Sequence, residues 1–306
     1  MPSQHHLFRG IAWLGVAILS WGGLFSVAKR TLPVLDAFFL GSARYSVGVL
    51  LFIAILWIAE GRQALRYQGR FLKAMVFGLF GFSAFNVFVW CGLAHTRPEH
   101  ASIIMALQTP MTAFAVWLTR GLRPAPFTIG CVAAAIGGVL LVVTKGDLIH
   151  GFEGGSLFGD LLVFFGAVSW VVYTMAGAQF SGWSPLRMTV LTCIPGTVGL
   201  IAINIFTVAN GYSVLPTLDQ VLSVKWQLAY FIFFTVVLGV LSFNNSVKYL
   251  GALNTMLMLN LIPVIVFAIE AWLGRSFAMV EIAGAAVVIG ALAANNLYLR
   301  GTSRRV

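Results

Sequence analysis

Amide, hydroxyl and aromatic side chains recur at helical spacing inside long apolar stretches of this sequence. Asn86 and Trp90 are four residues apart, and Met105 and Gln108 are three apart. In hydrocarbon a side-chain amide needs a hydrogen-bonding partner, so these groups must face protein or water. The pattern predicts a cavity that binds a small solute; the alternative for each residue is a hydrogen bond between helices. The predicted lining residues are Ser20, Trp21, Ser83, Asn86, Trp90, Met105, Gln108, Trp170, Tyr173, Asn244 and Asn260.

Arg44 is the basic residue that lies deepest in an apolar stretch, roughly two helical turns from its start. A guanidinium group in a wet cavity binds a carboxylate through two parallel hydrogen bonds. The alternative is that the Arg44 side chain extends to the lipid headgroups or bonds to neighbouring carbonyls. We count Arg44 among the predicted substrate ligands.

Pro110 and Pro263 each lie inside an apolar stretch. A proline removes one backbone hydrogen bond from a helix and tends to kink it. Kinks in two equivalent helices would expose carbonyl groups to a cavity and let parts of the bundle move. The two prolines are therefore predicted hinges, with a purely structural bend as the alternative.

The nine acidic residues fall in connections or near the ends of apolar stretches, and none lies at the middle of one. The sequence therefore predicts no proton antiport through a central carboxylate. Cys91, Cys131 and Cys193 lie singly in apolar stretches, without metal-like spacing. Phosphate-binding, dinucleotide-binding and hydrolase motifs are absent, so we expect no enzyme activity, no metal and no cofactor.

These residues belong to a chain of 306 residues, of which 59% are hydrophobic and 9% are charged. An ordinary soluble domain is about 25% charged, so the surface of this protein must largely face lipid. The 19 Lys and Arg residues are scattered singly, which argues against nucleic acid as a partner. About 20 apolar residues cross a bilayer as a helix, the state that satisfies the backbone in lipid. The ten predicted spans are 10–28, 37–59, 74–94, 101–119, 127–144, 157–179, 186–208, 227–247, 252–273 and 277–299.

Lys and Arg are distributed unequally between the two sides of this arrangement. The even-numbered connections and the two termini carry twelve of them, the odd-numbered connections carry six, and Arg44 lies within a span. Cytoplasmic loops carry the excess of positive charge in membrane proteins. Both termini are therefore predicted to be cytoplasmic.

The two halves of the chain resemble each other in several places. The Ser-Trp pair at 20–21 matches the pair at 169–170 at an offset of 149, and Pro110 matches Pro263 at an offset of 153. Glycines recur in the fifth and tenth spans. Matches in the same order along the chain predict a duplication.

The predicted repeats are residues 1–148 and residues 149–306, each with five spans. Because five is an odd number, the second repeat must cross the membrane in the opposite sense to the first. Inverted repeats of this kind are a common plan of transporters, with the substrate site near the midplane between the halves.

These features resemble the drug/metabolite transporter superfamily in its ten-helix EamA-type branch, over about residues 10–299. The resemblance rests on the Ser-Trp pairs, the paired prolines and the glycine-rich fifth and tenth spans. It implies a central cavity with the fifth and tenth helices at the periphery. Members usually carry Gly-Glu after the fourth and ninth spans, whereas this sequence has Gly121-Leu122-Arg123 and Gly274-Arg275 there. Within the branch, the chain looks most like bacterial amino-acid exporters of the aromatic amino acid exporter type.

We therefore expect an all-α integral membrane protein of ten transmembrane helices, built as two inverted five-helix repeats around a central cavity. The expected function is secondary transport that exports small metabolites, above all amino acids including aromatic and neutral ones, across the bacterial inner membrane by alternating access. The expected partners are a small-molecule substrate and the lipid bilayer, and a monomer suffices because one chain supplies both halves. An exporter of lipophilic cations is the alternative, but it would need a buried acid. A membrane enzyme would need a cluster of reactive side chains at one face.

Overall fold

The computed structural model describes residues 4–121, 123, 125–147, 156–175, 179–250, 255 and 258–303. These residues form helices and connecting segments, with no strand among them. Eight of the helices are long and apolar enough to cross a membrane. They are followed by two helices with shorter apolar stretches, α9 (Ile262–Trp272) and α10 (Met279–Ser303). Those eight are α1 (Phe8–Thr31), α2 (Ala37–Glu60), α3 (Phe71–His95), α4 (Pro98–Thr119), α5 (Pro126–Thr144), α6 (Ser156–Met175), α7 (Pro185–Ala209) and α8 (Lys225–Leu250).

Eight of the ten predicted spans are thus present as long apolar helices. The predicted ninth span begins at residue 252, and residues 251–254, 256 and 257 lie outside the described part of the chain. The count of ten spans therefore stays a prediction, and so does the inverted insertion of the second half.

The outer surface of the bundle is apolar, as a surface in contact with lipid must be. Leu19, Ile58 and Trp272 are 74%, 84% and 86% exposed, whereas polar residues such as Asn86 and Ser242 are fully buried. This distribution is the reverse of that in a soluble protein. Together with the long apolar helices, it is the pattern of a multi-pass membrane protein.

The helices pack in pairs whose arrangement is symmetric. α5 packs along α10, α3 along α6, α1 along α8 and α2 along α7. If each helix is exchanged with the one five places along the chain, the α3–α6 pair becomes the α8–α1 pair, and the other two pairs are unchanged. A duplicated five-helix unit would produce this symmetry, although the duplication itself stays a prediction.

Glycines let two of these pairs approach closely. A Cβ atom on Gly92 of α3 would lie 2.6 Å from the carbonyl oxygen of Gly159 of α6, and one on Gly159 would lie equally close to the carbonyl of Gly92. Gly138 of α5 and Gly284 of α10 meet in the same way at 2.7 Å. Small residues at such contacts allow the backbones of membrane helices to touch. A side chain at any of these four positions would push the paired helices apart.

Several of the helices are locally irregular. α3 contains a π-helical segment at Leu79–Ala84, and α8 contains one at Tyr230–Gly239. α4 is interrupted at Leu107, and a turn at Leu261 precedes α9. Irregular backbone at membrane depth is tolerated where it is buried in protein or lines a cavity. The irregular positions therefore mark the helices to search for a functional site.

A buried ionic cluster joins α4, α10 and their flanking segments at one end of the bundle. Arg275, which follows α9, pairs with Glu99 in the first turn of α4 and, at 3.4 Å, with Glu281 in the first turn of α10. Arg97 pairs with Glu281 at 3.6 Å. The ring of His100 lies beside these carboxylates, all within 4.8 Å of one another. The two guanidinium groups already balance the two glutamates, so the cluster has no need of a metal ion.

Replacement of Arg275 by Gln removes the guanidinium group that contacts both buried glutamates. An unpaired buried charge costs about 3–5 kcal/mol, so we expect a clear fall in the thermal unfolding temperature of the purified protein in detergent. Arg97→Gln is the control, because it also removes a cation from Glu281. The Arg97 side chain is 40% exposed against 23% for Arg275, so its loss should cost less. Equal falls would show that burial does not set the contribution of these pairs.

Candidate functional site

A cavity lies inside the bundle, with walls from α1, α2, α3, α4, α6, α8 and the start of α9. It offers about 100 Å³ to the centres of water-sized molecules. One water needs about 10–15 Å³ by this measure, so the cavity has room for a small organic solute. Among the described residues, none from α5, α7 or α10 lines it. The predicted substrate-binding residues that line it are Trp21, Arg44, Met105, Gln108, Trp170 and Asn260, and the predicted hinge residue Pro263 lines it as well.

Arg44 brings a positive charge into this cavity from α2. The residue is 3% exposed, and its Cζ atom lies 4.8 Å from the ring centre of Trp90, 4.9 Å from that of Tyr45 and 6.0 Å from that of Phe231. The faces of these rings attract a cation and partly compensate its lost hydration. They therefore hold the Arg44 guanidinium group in place at the cavity wall.

The Arg44 guanidinium group nevertheless lacks polar partners. Its Nε and Nη1 atoms are buried and have no hydrogen-bond acceptor in the described part of the chain, and Nη2 makes one long bond of 3.4 Å to the Tyr45 hydroxyl. No described carboxylate forms an ion pair with Arg44, and Arg44 is the one charged residue among the described lining residues. A buried charge without a counter-ion is costly, and a negative charge placed beside Arg44 would offset that cost.

Two amides add further N–H donors to the same cavity. The Nδ2 atom of Asn260 is buried and has no acceptor among the described residues. Gln108 Nε2 lies 3.9 Å from the sulfur of Met105, which is a weak acceptor. Arg44 adds donors alone, whereas Asn260 and Gln108 each also carry an amide oxygen that can accept a hydrogen bond.

Aromatic rings form much of the remaining wall. Trp21 Nε1 donates to the carbonyl oxygen of Thr235, within the π-helical segment of α8, at 2.9 Å. Gly239 permits this approach, since a Cβ atom there would lie 2.4 Å from the same nitrogen. Trp170 packs on Phe85 with ring centres 5.0 Å apart. Ring faces of this kind accommodate a flat or bulky apolar group.

The two predicted hinge prolines leave main-chain carbonyls without their usual partners. Because a proline has no N–H group, Pro110 and Pro263 cannot bond the carbonyls of Ala106 and Leu259, four residues earlier. Ala106 and Leu259 line the cavity together with Pro263, whereas Pro110 is not part of the wall. The helices are interrupted at Leu107 and Leu261, shortly before the two prolines, while hinge motion at these positions stays a prediction.

The other predicted lining residues make contacts between or within helices. Ser83 Oγ donates to the carbonyl of Gly196 in α7 at 2.6 Å, and Asn244 Nδ2 donates to Thr189 Oγ1, also in α7, at 2.5 Å. The ring of Tyr173 packs against those of Trp170 and Phe82. For these residues the alternative of a helix contact describes what the structure shows. The predicted residues that do not line the cavity are Ser20, Ser83, Asn86, Trp90, Tyr173, Asn244 and Pro110.

Asn86 and Trp90 lie one layer behind the wall and hold Arg44. Trp90 Nε1 donates to Asn86 Oδ1 at 2.9 Å, and Asn86 Nδ2 donates to the carbonyl of Phe82 at 2.6 Å. Asn86 and Trp90 do not line the cavity as predicted because a π-helical segment lies just before them. A π turn holds more residues than an α turn. The faces of α3 after this segment are therefore rotated, and Phe85 lines the cavity in place of Asn86.

Comparison with known proteins identifies the family. The sequence model of the EamA-like transporter family matches the chain in two segments, residues 8–144 and residues 157–297. The chain belongs to this family. The resemblance inferred from the Ser-Trp pairs, prolines and glycines is thus confirmed at the level of the family, and the protein is a membrane transporter.

Two proteins of Bacillus subtilis (strain 168) are similar to this EamA-like transporter over almost its whole length. The uncharacterized transporter YrdR is 30% identical over 298 residues, which cover 96% of this chain and 93% of YrdR. The uncharacterized transporter YyaM is 31% identical over 296 residues, which cover 95% of each chain. A crystal structure at 20% identity matches with a TM-score of 0.66 over 96% of this chain and 98% of its own. The crystal structure shows a shared fold.

The cavity of this EamA-like transporter also has lining residues that the sequence pattern did not identify. Ser102 and Thr109 stand three residues before and four residues after Met105, so helical spacing would have found both. Tyr45 directly follows Arg44, and spacing along the helix gives no signal for it. The unpredicted lining residues are Leu24, Phe25, Tyr45, Phe85, Ser102, Ala106, Thr109, Thr235, Val240, Leu259 and Ile262.

Replacement of Asn86 by Leu should destabilise the transporter, because it leaves the buried indole N–H of Trp90 without an acceptor. The expected cost is about 1–3 kcal/mol, measured as a lower thermal unfolding temperature in detergent. Asn245→Leu is the matched control on α8, since Asn245 Nδ2 donates only to the carbonyl of Leu241 in its own helix. If both substitutions lowered the unfolding temperature alike, Asn86 would have no special role in holding Trp90.

Proposed function

We propose that this EamA-like transporter exports small metabolites, above all amino acids including aromatic and neutral ones, across the bacterial inner membrane by alternating access. The observation that carries the proposal is the buried Arg44 guanidinium group, which faces an aromatic cavity without a counter-ion. A substrate carboxylate would supply the missing charge and accept the unused hydrogen bonds. Both termini lie in the cytoplasm, as the excess of Lys and Arg on that side indicates.

The rest of the wall supports a substrate with a polar head and an apolar body. Trp21, Phe85 and Trp170 offer ring faces to an aromatic or aliphatic side chain. Asn260 and Gln108 offer amide groups near the head. A few polar groups in a largely apolar pocket are typical of sites for small molecules.

Alternating access fits the distribution of irregular backbone. α4 and the segment before α9 are interrupted beside the cavity, near Pro110 and Pro263. In this proposal the two halves, residues 1–148 and 149–306, are inverted repeats that rock about the fixed site. The working unit is a monomer, because the cavity is built from helices of both halves of one chain.

Export of lipophilic cations is the alternative, and the charge of the cavity opposes it. A cation would come to lie beside Arg44, and two like charges at short range inside a protein repel more strongly than in bulk water. A cation site would need a carboxylate, and none of the described lining residues is acidic. Aromatic walls alone suit either substrate class, so the charged residue decides between them.

Flux measurements on purified protein in liposomes test this function. Vesicles preloaded with labelled phenylalanine or leucine should show saturable efflux, which Arg44→Gln should slow at least tenfold, since hydrogen bonds to charged groups contribute about 1.5–3 kcal/mol. Arg187→Gln is the matched control and should leave the flux unchanged. Arg187 also lies over an aromatic ring, 5.0 Å from Trp183, and also has a buried Nε without an acceptor, but it is not part of the cavity.

Efflux of a lipophilic cation such as tetraphenylphosphonium, undiminished in Arg44→Gln, would contradict the proposal and favour the multidrug alternative. Equal folded yields of the wild type and both variants, measured by gel filtration in detergent, ensure that a loss of flux reflects the site.

A further inference from the structure

The described wall of the cavity carries an unbalanced charge. Arg44 is its one charged residue, and no described acidic residue forms an ion pair with it. Of the nine acidic residues in the sequence, eight lie in the described part of the chain, and none of these lines the cavity. The empty site therefore holds one positive charge that no acidic residue of the described part of the chain neutralises.

The net charge of a bound solute then decides the charge of the occupied site. A monocarboxylate anion brings one negative charge, and the occupied cavity becomes neutral. A zwitterionic amino acid brings the same carboxylate together with an ammonium group, so one positive charge remains. Because an uncompensated charge is costly when it is buried away from bulk water, the neutral complex is the more stable one.

The donors of the site match a carboxylate head. Arg44 Nε and Nη1 and Asn260 Nδ2 are buried N–H donors without acceptors among the described residues. A carboxylate has two oxygens with about four acceptor sites, and it pairs with a guanidinium group through two parallel bonds. These donor atoms have almost no accessible surface, so an anionic head reaches them through a small shift of the Arg44 and Asn260 side chains.

An ammonium group finds a weaker match. The acceptors of the described lining residues are neutral, among them the amide oxygens of Asn260 and Gln108, and the carbonyls of Ala106 and Leu259, which Pro110 and Pro263 cannot bond. Carbonyl groups are dipoles and bring no net charge, so they reduce but do not cancel the cost of the extra cation. Amino acids are therefore accepted, with lower affinity than their analogues without the amino group.

From these observations we infer that the cavity prefers monocarboxylate anions with an aromatic or bulky apolar body to zwitterionic amino acids of the same shape. This inference rests on the proposed function, since it concerns the substrate class of the same site. The body of the anion lies against the rings of Trp21, Phe85 and Trp170, and its carboxylate lies on Arg44. Amino acids remain substrates, but their amino group lowers the affinity and is not a recognition element.

Three ligands of similar shape test the inference: 3-phenylpropionate, phenylalanine and phenethylamine, which carry the carboxylate alone, both groups, and the amine alone. Isothermal titration calorimetry on the purified protein in detergent avoids passive leakage of the uncharged acid through lipid. We expect the Kd of 3-phenylpropionate to be at least tenfold lower than that of phenylalanine, and no detectable binding of phenethylamine. In liposomes, 3-phenylpropionate should inhibit phenylalanine efflux at a correspondingly lower concentration.

The variants separate charge from geometry. Arg44→Gln should abolish the preference for the anion, whereas Arg44→Lys should keep the preference with weaker binding, because the charge remains but the paired hydrogen bonds are lost. Arg187→Gln, outside the cavity, should match the wild type. If Arg44→Gln fails to fold, Asn260→Leu provides a second measure: it removes one donor and should weaken the binding of 3-phenylpropionate and phenylalanine in similar proportion.

The possible outcomes distinguish this inference from the proposed function. Phenylalanine bound as tightly as 3-phenylpropionate, or more tightly, would overturn the preference for anions while leaving amino-acid export in place. Tightest binding of phenethylamine would overturn both. Failure of all three ligands to bind, with no amino-acid efflux, would also remove both. Tighter binding of 3-phenylpropionate that persisted in Arg44→Gln would show that another group, and not the charge of Arg44, selects the anion.

Discussion

The organisation of the cavity depends on one buried cation that the described residues stabilise without neutralising. A guanidinium group taken out of water loses most of its hydration, and a carboxylate is its usual compensation. Arg44 instead lies over the rings of Trp90, Tyr45 and Phe231. These rings attract the cation through their electron-rich faces, but they bring no negative charge. The position of the charge is thus fixed by packing, and no carboxylate of the described residues pairs with it. The bond from Trp90 to Asn86 extends this support into α3.

The irregular backbone of the bundle serves the same region. The π-helical segment of α8 contains Thr235, whose carbonyl accepts from Trp21, and the interruption of α4 lies next to Ala106 in the wall. Regular helices satisfy their own carbonyls, so they can face lipid or one another, as α5 and α10 do along the contact of Gly138 with Gly284. A helix that lines a polar cavity is free to depart from regular hydrogen bonding, because solute and water can meet the exposed groups. The irregular segments of α4 and α8 therefore lie where the helices face the cavity, whereas α2 and α6 line it as regular helices.

The spans were predictable from sequence because hydrophobic length is a direct requirement of crossing a bilayer. The helix interruptions at Pro110 and Pro263 were predictable for an equally local reason, the missing N–H group. The faces of α3 were not predictable, since the π-helical segment at Leu79–Ala84 has no proline to reveal it and shifts the helical period that places Asn86. The burial of acidic residues near helix ends could not be predicted from the sequence, for another reason. Glu99 stands at the start of a span, where a solvated position is normal, and its burial against Arg275 depends on segments more than 170 residues away in the chain.

The ionic cluster and the cavity both contain buried charges, which are paired in the cluster but not, among the described residues, in the cavity. In the cluster, Glu99 and Glu281 are buried, and Arg275 and Arg97 lie against them, so each carboxylate is paired with a guanidinium group. Such a set of pairs can hold helices together and needs nothing from outside. In the cavity, Arg44 is equally buried, yet no described carboxylate pairs with it. A fold able to pair its buried charges at one end would gain stability by doing so at the other, unless the unpaired charge has a use. The contrast between the two sites is therefore the reason to read Arg44 as a ligand for the transported solute, and the cluster as part of the framework.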